Sequence, residues 1–265
     1  MNAGASSPPS GALEALWLEL SPRLPGFTAE WVPEIDSTNS ELMRRARSGL
    51  DAPVLLVAGR QSAGRGRVGR QWHGEPDDAL MFSLGLPLAP ADWSGLSLAV
   101  GLALADSLDP GVGLKWPNDL WWRSRKLGGI LIEMASQGGR SQLVIGVGLN
   151  LAPPAHHDLR TPPAAVREFW PEARAGNVLE RVIPALVSEL LDFARTGFAP
   201  RLERYGRRDV LQGQAVTLSD GRTGTALGVS ARGALRLQTD AGCVEVHSAE
   251  VSVRPAAAGP QESLS

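Results

Sequence analysis

Between Val112 and Asn150 one strand-like segment follows another with only a few residues separating each from the next. Val112 to Trp116, Leu120 to Arg123, Leu127 to Met134 and Gln142 to Leu149 are short, apolar and bounded by turn residues. A parallel pair needs a crossover of about a dozen or more residues, so segments this close fold back as hairpins. Glu30 to Ile35, Pro53 to Ala58 and Ala79 to Leu86 also read as strands. Few helical spacings intervene. The pattern predicts an α+β fold with a mixed, largely antiparallel central sheet and helices, rather than a doubly wound α/β fold.

At 265 residues and 43% hydrophobic, the chain can bury one large domain, or a medium domain and a small one. After Val210 the texture changes. Gln214 to Ser219, Arg222 to Ser230, Ala234 to Thr239 and Cys243 to Ser248 alternate, punctuated by Asp220-Gly221, Arg232-Gly233 and Ala241-Gly242. That predicts a small β-barrel or sandwich over 210–254. Residues 1–11 and 255–265 read as a disordered leader and tail, and 12–209 as the main domain.

Within it, Ala12 to Leu20 is spaced as a short helix. Thr38 with Glu41 forms a capping-box pattern that predicts a helix from about Asn39 to Ser48, stopped at Gly49, with Arg44, Arg45 and Arg47 in water. Asp92 or Ser94 is expected to cap an apolar helix through Leu108. Asn177 is expected to open another, running to Thr196 with a bend at Pro184. Pro200 to Arg207 reads as a last short helix.

The chemistry gathers at strand ends. Gly59 to Trp72 interleaves glycines with Arg60, Arg65, Arg67 and Arg70 after an apolar run and closes on an aromatic. Glycines allow a close backbone approach, and guanidinium forks fit carboxylate and phosphate oxygens. A solvated basic turn, an RNA-binding segment and an anion cradle all fit this stretch alone. Three more groups stand with it: Ser37-Thr38-Asn39, Lys115 to Asp119 with Lys126 to Gly129, and Gly146 to Asn150. Net charge of -2 gives no global field for nucleic acid or membrane.

Other readings fail. The sequence has no P-loop pattern and no Gly-x-Ser-x-Gly elbow. Gly64, Gly66 and Gly69 have Rossmann spacing, but no helix pattern opens after them. His73, the pair His156-His157 and His247 lack metal-ligand spacing, so no metal ligand set is read. The lone Cys243 fits a reducing compartment and is expected in the core or half-buried. No apolar stretch is long enough for a membrane span, and no signal peptide opens the chain, so a cytoplasmic location is expected.

Taken in order, these groups resemble the biotin–protein ligases. The shared strings are Gly64 to Trp72 (Gly-Arg-Gly-Arg-x-Gly-Arg-x-Trp) and Lys115 to Asp119 (Lys-Trp-Pro-Asn-Asp). Lys126 to Glu133 (Lys-Leu-Gly-Gly-Ile-Leu-x-Glu), Gly146 to Asn150 and Ser37-Thr38-Asn39 complete the set. The resemblance implies the catalytic fold of that family, similar to class II aminoacyl-tRNA synthetases, over 12–209, and an SH3-like barrel behind it. It implies ATP-dependent activation of biotin to biotinyl-5′-AMP, with Mg2+ carried mainly by the ATP phosphates. Transfer to a lysine of a biotin carboxyl carrier protein domain follows.

For site residues, the resemblance implies Ser37, Thr38, Asn39 and Gln61 around biotin, with Gly66 and Gly129 as close backbone. Arg65, Arg67 and Lys126 are implied to contact both biotin and ATP and, with Asp119, to form the catalytic set. Arg70 joins the ATP contacts, Trp72 stacks on adenine and Asn150 bonds its edge. Asp119 orients the incoming lysine, and the glycine-rich loop is the expected lid. About thirty residues precede the first strand, so a type without a DNA-binding winged helix is expected. A homodimer through the edge of the central sheet is left open. His73 after Trp72, and Gly228-Val229-Ser230 in the small domain, depart from the family pattern. A lipoate–protein ligase is the near alternative and an RNA-binding module the distant one.

Overall fold

The computed structural model describes residues 8–137, 140–153, 163–247 and 253–255. Helix α1 (Ser10–Leu20) buries Ala12, Leu13, Leu16 and Leu20, a helical stripe turned inward. It begins inside the expected leader, whose residues 1–7 lie outside the described residues. Strand β1 (Thr28–Ile35), helix α2 (Thr38–Arg47), β2 (Val54–Gln61) and β3 (Ala79–Leu86) follow. Next come α3 (Leu96–Leu108), β4 (Gly113–Lys115), β5 (Asp119–Trp122), β6 (Arg125–Gln137) and β7 (Arg140–Asn150). Helices α4 (Ala175–Thr196) and α5 (Leu202–Gly206) close the main unit.

The seven strands form one sheet in the order β1-β2-β3-β7-β6-β5-β4. Only β1 and β2 run parallel, with α2 between them. Every other neighbouring pair is antiparallel, so the short links of 112–150 do form hairpins. Alternation then sorts the side chains. Leu143, Ile145, Val147 and Leu149 of β7 face the large core that contains residues of α1, α3 and α4. Val144 faces the opposite way and packs with Leu42, Met43 and Ala46 of α2. Gly146 and Gly148 share that second face, which leaves a stretch of bare sheet beside α2.

Strands β8 (Ala215–Leu218), β9 (Thr223–Val229), β10 (Leu235–Thr239), β11 (Gly242–Val246) and β12 (Val253–Pro255) form a second, antiparallel sheet in the order β11-β10-β9-β8-β12. Its buried Val216, Ala226, Leu235 and Leu237 belong to the same apolar cluster as the main unit. Trp116 donates Nε1–H to the Gly233 carbonyl at 3.1 Å, and Gly233 lies against Gly95 so closely that a Cβ would sit 2.6 Å from its Cα. The sequence missed β12, and Pro255 belongs to it rather than to a tail. Residues 256–265 lie outside the described residues.

Several local expectations change. Ser37, not Thr38, caps α2, because Thr38 gives both its N–H and its hydroxyl to Gln61 Oε1. Glu41 completes no capping box. Its carboxylate takes Arg44 and Arg45, which also reach Asp36 and Glu30, so two of the three helix arginines are paired rather than solvated. Gly95, left-handed at φ 78°, starts α3. Asp92 instead accepts from Ser94 N–H and pairs with Arg232. Helix α4 starts at Ala175, and Asn177 accepts the Arg174 N–H from inside the first turn at 2.8 Å. Cys243 is exposed, because β11 turns it outward at the sheet edge.

The link between the two units extends β4: Leu114 donates to the Arg208 carbonyl at 2.7 Å and accepts from Val210 N–H at 3.1 Å. Between them Asp209 accepts the Leu211 N–H at 2.9 Å. Burial pushes its carboxyl up to about 6, against the pull of the Leu211 and Gln212 N–H groups. A folded-state value above the unfolded one stabilises the fold fully at low pH, and that contribution is lost as pH rises through about 6. Asp209→Asn keeps an acceptor for both N–H groups and removes the charge. It is expected to raise the melting temperature at pH 8, corresponding to about 2 kcal/mol, and by about half as much at pH 5. Equal effects at both values would contradict this account.

Candidate active site

Strand β2 delivers Gln61 to the end of α2, and the chain then makes a closed hairpin. Trp72 N–H donates to the Gly64 carbonyl at 2.9 Å and Gly66 N–H to the Arg70 carbonyl at 2.7 Å. At the tip, Val68 (φ 54°) and Gly69 (φ 69°) are left-handed, a conformation that disfavours a β-branched residue. The three glycines therefore shape a hairpin and not a dinucleotide fingerprint. Between this hairpin and the bare face of the sheet lies a cavity of about 230 Å³.

One end of the cavity is a buried polar network. Ser37, Thr38 and Asn39 are at most 3% exposed. Ser83, from the middle of β3, donates to Asn39 Oδ1 at 2.6 Å and stands 2.7 Å from Thr38 Oγ1. Asn39 Nδ2 donates to Glu133 Oε2 at 2.9 Å. Buried hydroxyls and amides tied to one another in this way are rigid. They present hydrogen-bonding groups in fixed directions to a small polar ligand.

The other end is cationic. The β5–β6 register sets Asp119 opposite Gly129. Lys126 Nζ reaches Asp119 Oδ1 at 2.8 Å, and Lys115 Nζ lies 3.9 Å from Oδ2. Arg67 Nη1 donates to Asn118 Oδ1 at 3.3 Å. Burial holds the Arg67 guanidinium below its ordinary value, with Asp119 opposing and Arg70 adding to the shift. Arg65, Arg67, Arg70, Lys115 and Lys126 line the cavity against one carboxylate, Asp119. The summed field favours a ligand carrying several anionic oxygens.

Trp72 sits between the ends, and the motif glycines explain how. Gly129 of β6 and Gly148 of β7 are paired in register. A Cβ on Gly148 would lie 2.7 Å from Trp72 Cζ2 and Nε1, and one on Gly129 would lie 3.6 Å from the ring. The indole thus occupies the space that two side chains would take. Its Nε1–H is buried with no hydrogen-bond partner among the described residues, which leaves a donor for a ligand. Lys126 Nζ lies 5.8 Å from the ring centroid.

Ser37, Thr38, Asn39, Gln61, Arg65, Gly66, Arg67, Arg70, Trp72, Asp119, Lys126 and Gly129 all line this one cavity. Asn150 does not. It is 7% exposed and its Nδ2 donates to the Ala164 carbonyl at 3.0 Å and the Lys126 carbonyl at 3.4 Å. Its amide nitrogen therefore ties the start of β6 to its neighbour. Sequence reading had given no role to Ser83, Glu133, Lys115 or Val253, the last of which reaches the cavity from β12. Ser83 did carry a signal, as the lone hydroxyl in the apolar run of β3. Among the described residues, no group of three or more His, Cys, Asp or Glu side chains is placed to hold a metal. His156 and His157 lie outside them.

A mixed sheet that holds a rigid polar end, a stacking ring and five cations around one small cavity defines an enzyme acting on small oxyanions. Comparisons with known proteins make this specific. Residues 31–150 match the biotin/lipoate A/B protein ligase family, and residues 211–254 match the biotin protein ligase C terminal domain. The bifunctional ligase/repressor BirA of Escherichia coli is 34% identical over 251 residues, covering 88% of this chain and 76% of its own. The biotin--[acetyl-CoA-carboxylase] ligase of Paracoccus denitrificans is 33% identical, covering 82% of this chain and 96% of its own. A biotin protein ligase from Aquifex aeolicus, solved with biotin and ATP, superposes with a TM-score of 0.76 at 27% identity. That match covers 86% of this chain and 99% of the other. The chain belongs to the biotin protein ligases of the biotin/lipoate A/B protein ligase family.

Proposed function

We infer that this chain joins biotin to protein in two steps, using ATP. In the first, the biotin carboxylate attacks the α-phosphorus, the bond to the β-phosphate oxygen breaks, and biotinyl-5′-AMP and pyrophosphate form. In the second, a neutral lysine amine of a biotin carboxyl carrier protein attacks the acyl carbon. AMP leaves with the bonding pair, and the amine loses a proton. The observation that carries this reading is the convergence of the Ser37-Thr38-Gln61 network and the Arg67 and Lys126 cations on one cavity.

We assign the polar end to biotin, because Thr38, Ser83 and Gln61 are held in fixed orientations that can read a ureido ring. Lys126, Arg65 and Arg67 serve the carboxylate and α-phosphate, where two anions must meet and fixed positive charge stabilises the transition state. Arg70 adds to the phosphate contacts and Trp72 stacks on adenine. Asp119 both anchors Lys126 and orients the acceptor amine. Magnesium fits this donor set as an ion carried by the phosphates, with Asp119 the one carboxylate among the described residues that line the cavity; bound there, it would neutralise phosphate charge. The hairpin of 64–72 is the lid, excluding water that would hydrolyse the adenylate.

Residues 10–209 form the catalytic unit and 210–255 a small β-domain that supports it, with Val253 as part of the cavity wall. β5 pairs with β6 as far as Gly129 and Asn118 takes both backbone groups of Ile130, so beyond Ile130 no strand among the described residues covers that edge of β6, which favours a homodimer through it. No helix among the described residues is long and apolar enough to cross a membrane. The free, exposed Cys243 suits a reducing cytoplasm. Net charge of -2 gives no global attraction for DNA.

The test is intact-mass analysis of a biotin carboxyl carrier protein domain incubated with this chain, biotin and ATP. One biotin on the acceptor lysine, and none when that lysine is arginine, is expected. An unmodified acceptor with AMP and pyrophosphate accumulating would mean that the adenylate forms but is hydrolysed rather than transferred, and an unmodified acceptor with no pyrophosphate released would contradict the reading.

A further inference from the structure

Glu133 closes the Lys126–Glu133 string, yet the chemistry above gives it no task. It stands on β6 on the same face as Gly129 and Leu131, about 13 Å along the strand from Gly129 at the usual rise per residue. Its carboxylate grips Arg65 with both oxygens, Nη1 to Oε2 at 3.0 Å and Nη2 to Oε1 at 2.9 Å. Lys126 lies at the other end, with Nζ 3.4 Å from where a Cβ on Gly129 would sit. Two cations assigned to the same reacting groups are thus held well apart.

The two halves of the pair are not equally free. Glu133 is 20% exposed and fixed by Asn39 Nδ2, whose carboxamide is fixed in turn by Ser83. Arg65 is 47% exposed and comes from a surface hairpin. Any rearrangement therefore moves Arg65 and leaves Glu133 in place. A carboxylate and a phosphoryl group present similar pairs of oxygens to a guanidinium fork, so a ligand can replace Glu133 without leaving Arg65 unpaired. Glu133 keeps its bond to Asn39 throughout, and the biotin end holds its shape.

We propose that Glu133 is a positioning residue, a charge latch that parks Arg65 away from the reacting atoms until ligand oxygens compete for it. The proposal rests on the assignment of Arg65 given above. Glu133→Gln keeps an acceptor for Asn39 and removes the charge that holds Arg65. The probe is a non-hydrolysable biotinyl-adenylate analogue that retains its phosphoryl oxygens, with Kd measured by calorimetry on wild type, Glu133→Gln, Arg65→Ala and the double variant.

Glu133→Gln is expected to bind the analogue about two- to fivefold more tightly, the scale of the partly exposed Arg65–Glu133 ion pair that no longer competes. In the Arg65→Ala background the same change is expected to have no effect. A folded Glu133→Gln that binds equally or more weakly overturns the latch, as does tightening that persists without Arg65. Glu133→Asp keeps the charge and is expected to stay near wild type. Tightening there as large as with Gln would assign the effect to packing and also overturn the latch. If Arg65→Ala alone leaves the affinity unchanged, the assignment of Arg65 falls and the latch with it. If Arg65→Ala weakens binding but Glu133→Gln does not tighten it, the latch alone falls.

Discussion

Lys126→Ala is expected to slow adenylate formation by about a hundred- to a thousandfold, the cost of removing one fixed donor from a developing charge. Its ammonium is held by Asp119 at 2.8 Å at the cationic end of the cavity, beside the bare Gly129. Among the described residues, no other ammonium is placed to take over that position. Lys115 is 3.9 Å from the same carboxylate, and its Nζ also lies 5.2 Å from the Trp121 ring. The fold should hold, because Lys126 is 43% exposed and such an ion pair contributes at most about 1 kcal/mol. The readout is pre-steady-state pyrophosphate release together with thermal unfolding. Normal release from a folded variant would remove Lys126 from the mechanism.

A crossed pair of glycine substitutions should separate the two ends of the cavity. Gly148→Ala puts a Cβ 2.7 Å from two atoms of the Trp72 indole. β7 is paired on both sides, by β3 and β6, and cannot retreat. The indole must therefore leave its seat. Losing a base–aromatic stack costs roughly 1–3 kcal/mol, so ATP affinity should fall by about tenfold or more while biotin affinity changes little. Trp72→Ala should show the same selectivity without any steric clash. Gly146→Ala lies two residues earlier on the same face, with its Cβ 2.9 Å from Asn39 Cγ. It should reverse the pattern, lowering biotin affinity with ATP binding nearly intact. Equal losses of both ligands in the Gly148 and Trp72 variants would argue against stacking.

Most of the sheet was legible because its strands are short apolar runs between turn residues, and hairpin spacing leaves little choice of pairing. The site was legible to the extent that each string sits at a strand end, where local pattern and function coincide. What escaped depends on partners distant in sequence. Thr38 has the sequence of a cap but bonds Gln61 across the sheet, so Ser37 takes the role. Asn150 ends the Gly-x-Gly-Leu-Asn string, and its amide nitrogen has the further task of bonding the Ala164 and Lys126 carbonyls. Ser83 and Glu133 act only once β3, β6 and α2 are assembled. Cys243 follows an alternating pattern that fits either face, and the sheet places it outside. Strand β12 is too short to carry a period, and pairing with β8 defines it.

Calorimetric titration with biotin, followed by ATP-dependent pyrophosphate release with biotin and then with lipoate, tests the central claim most directly. Biotin is expected to bind, and release is expected to require biotin and to ignore lipoate. Failure of biotin to bind, or release driven by lipoate instead, would contradict the assignment of the polar end of the cavity and the reaction built upon it.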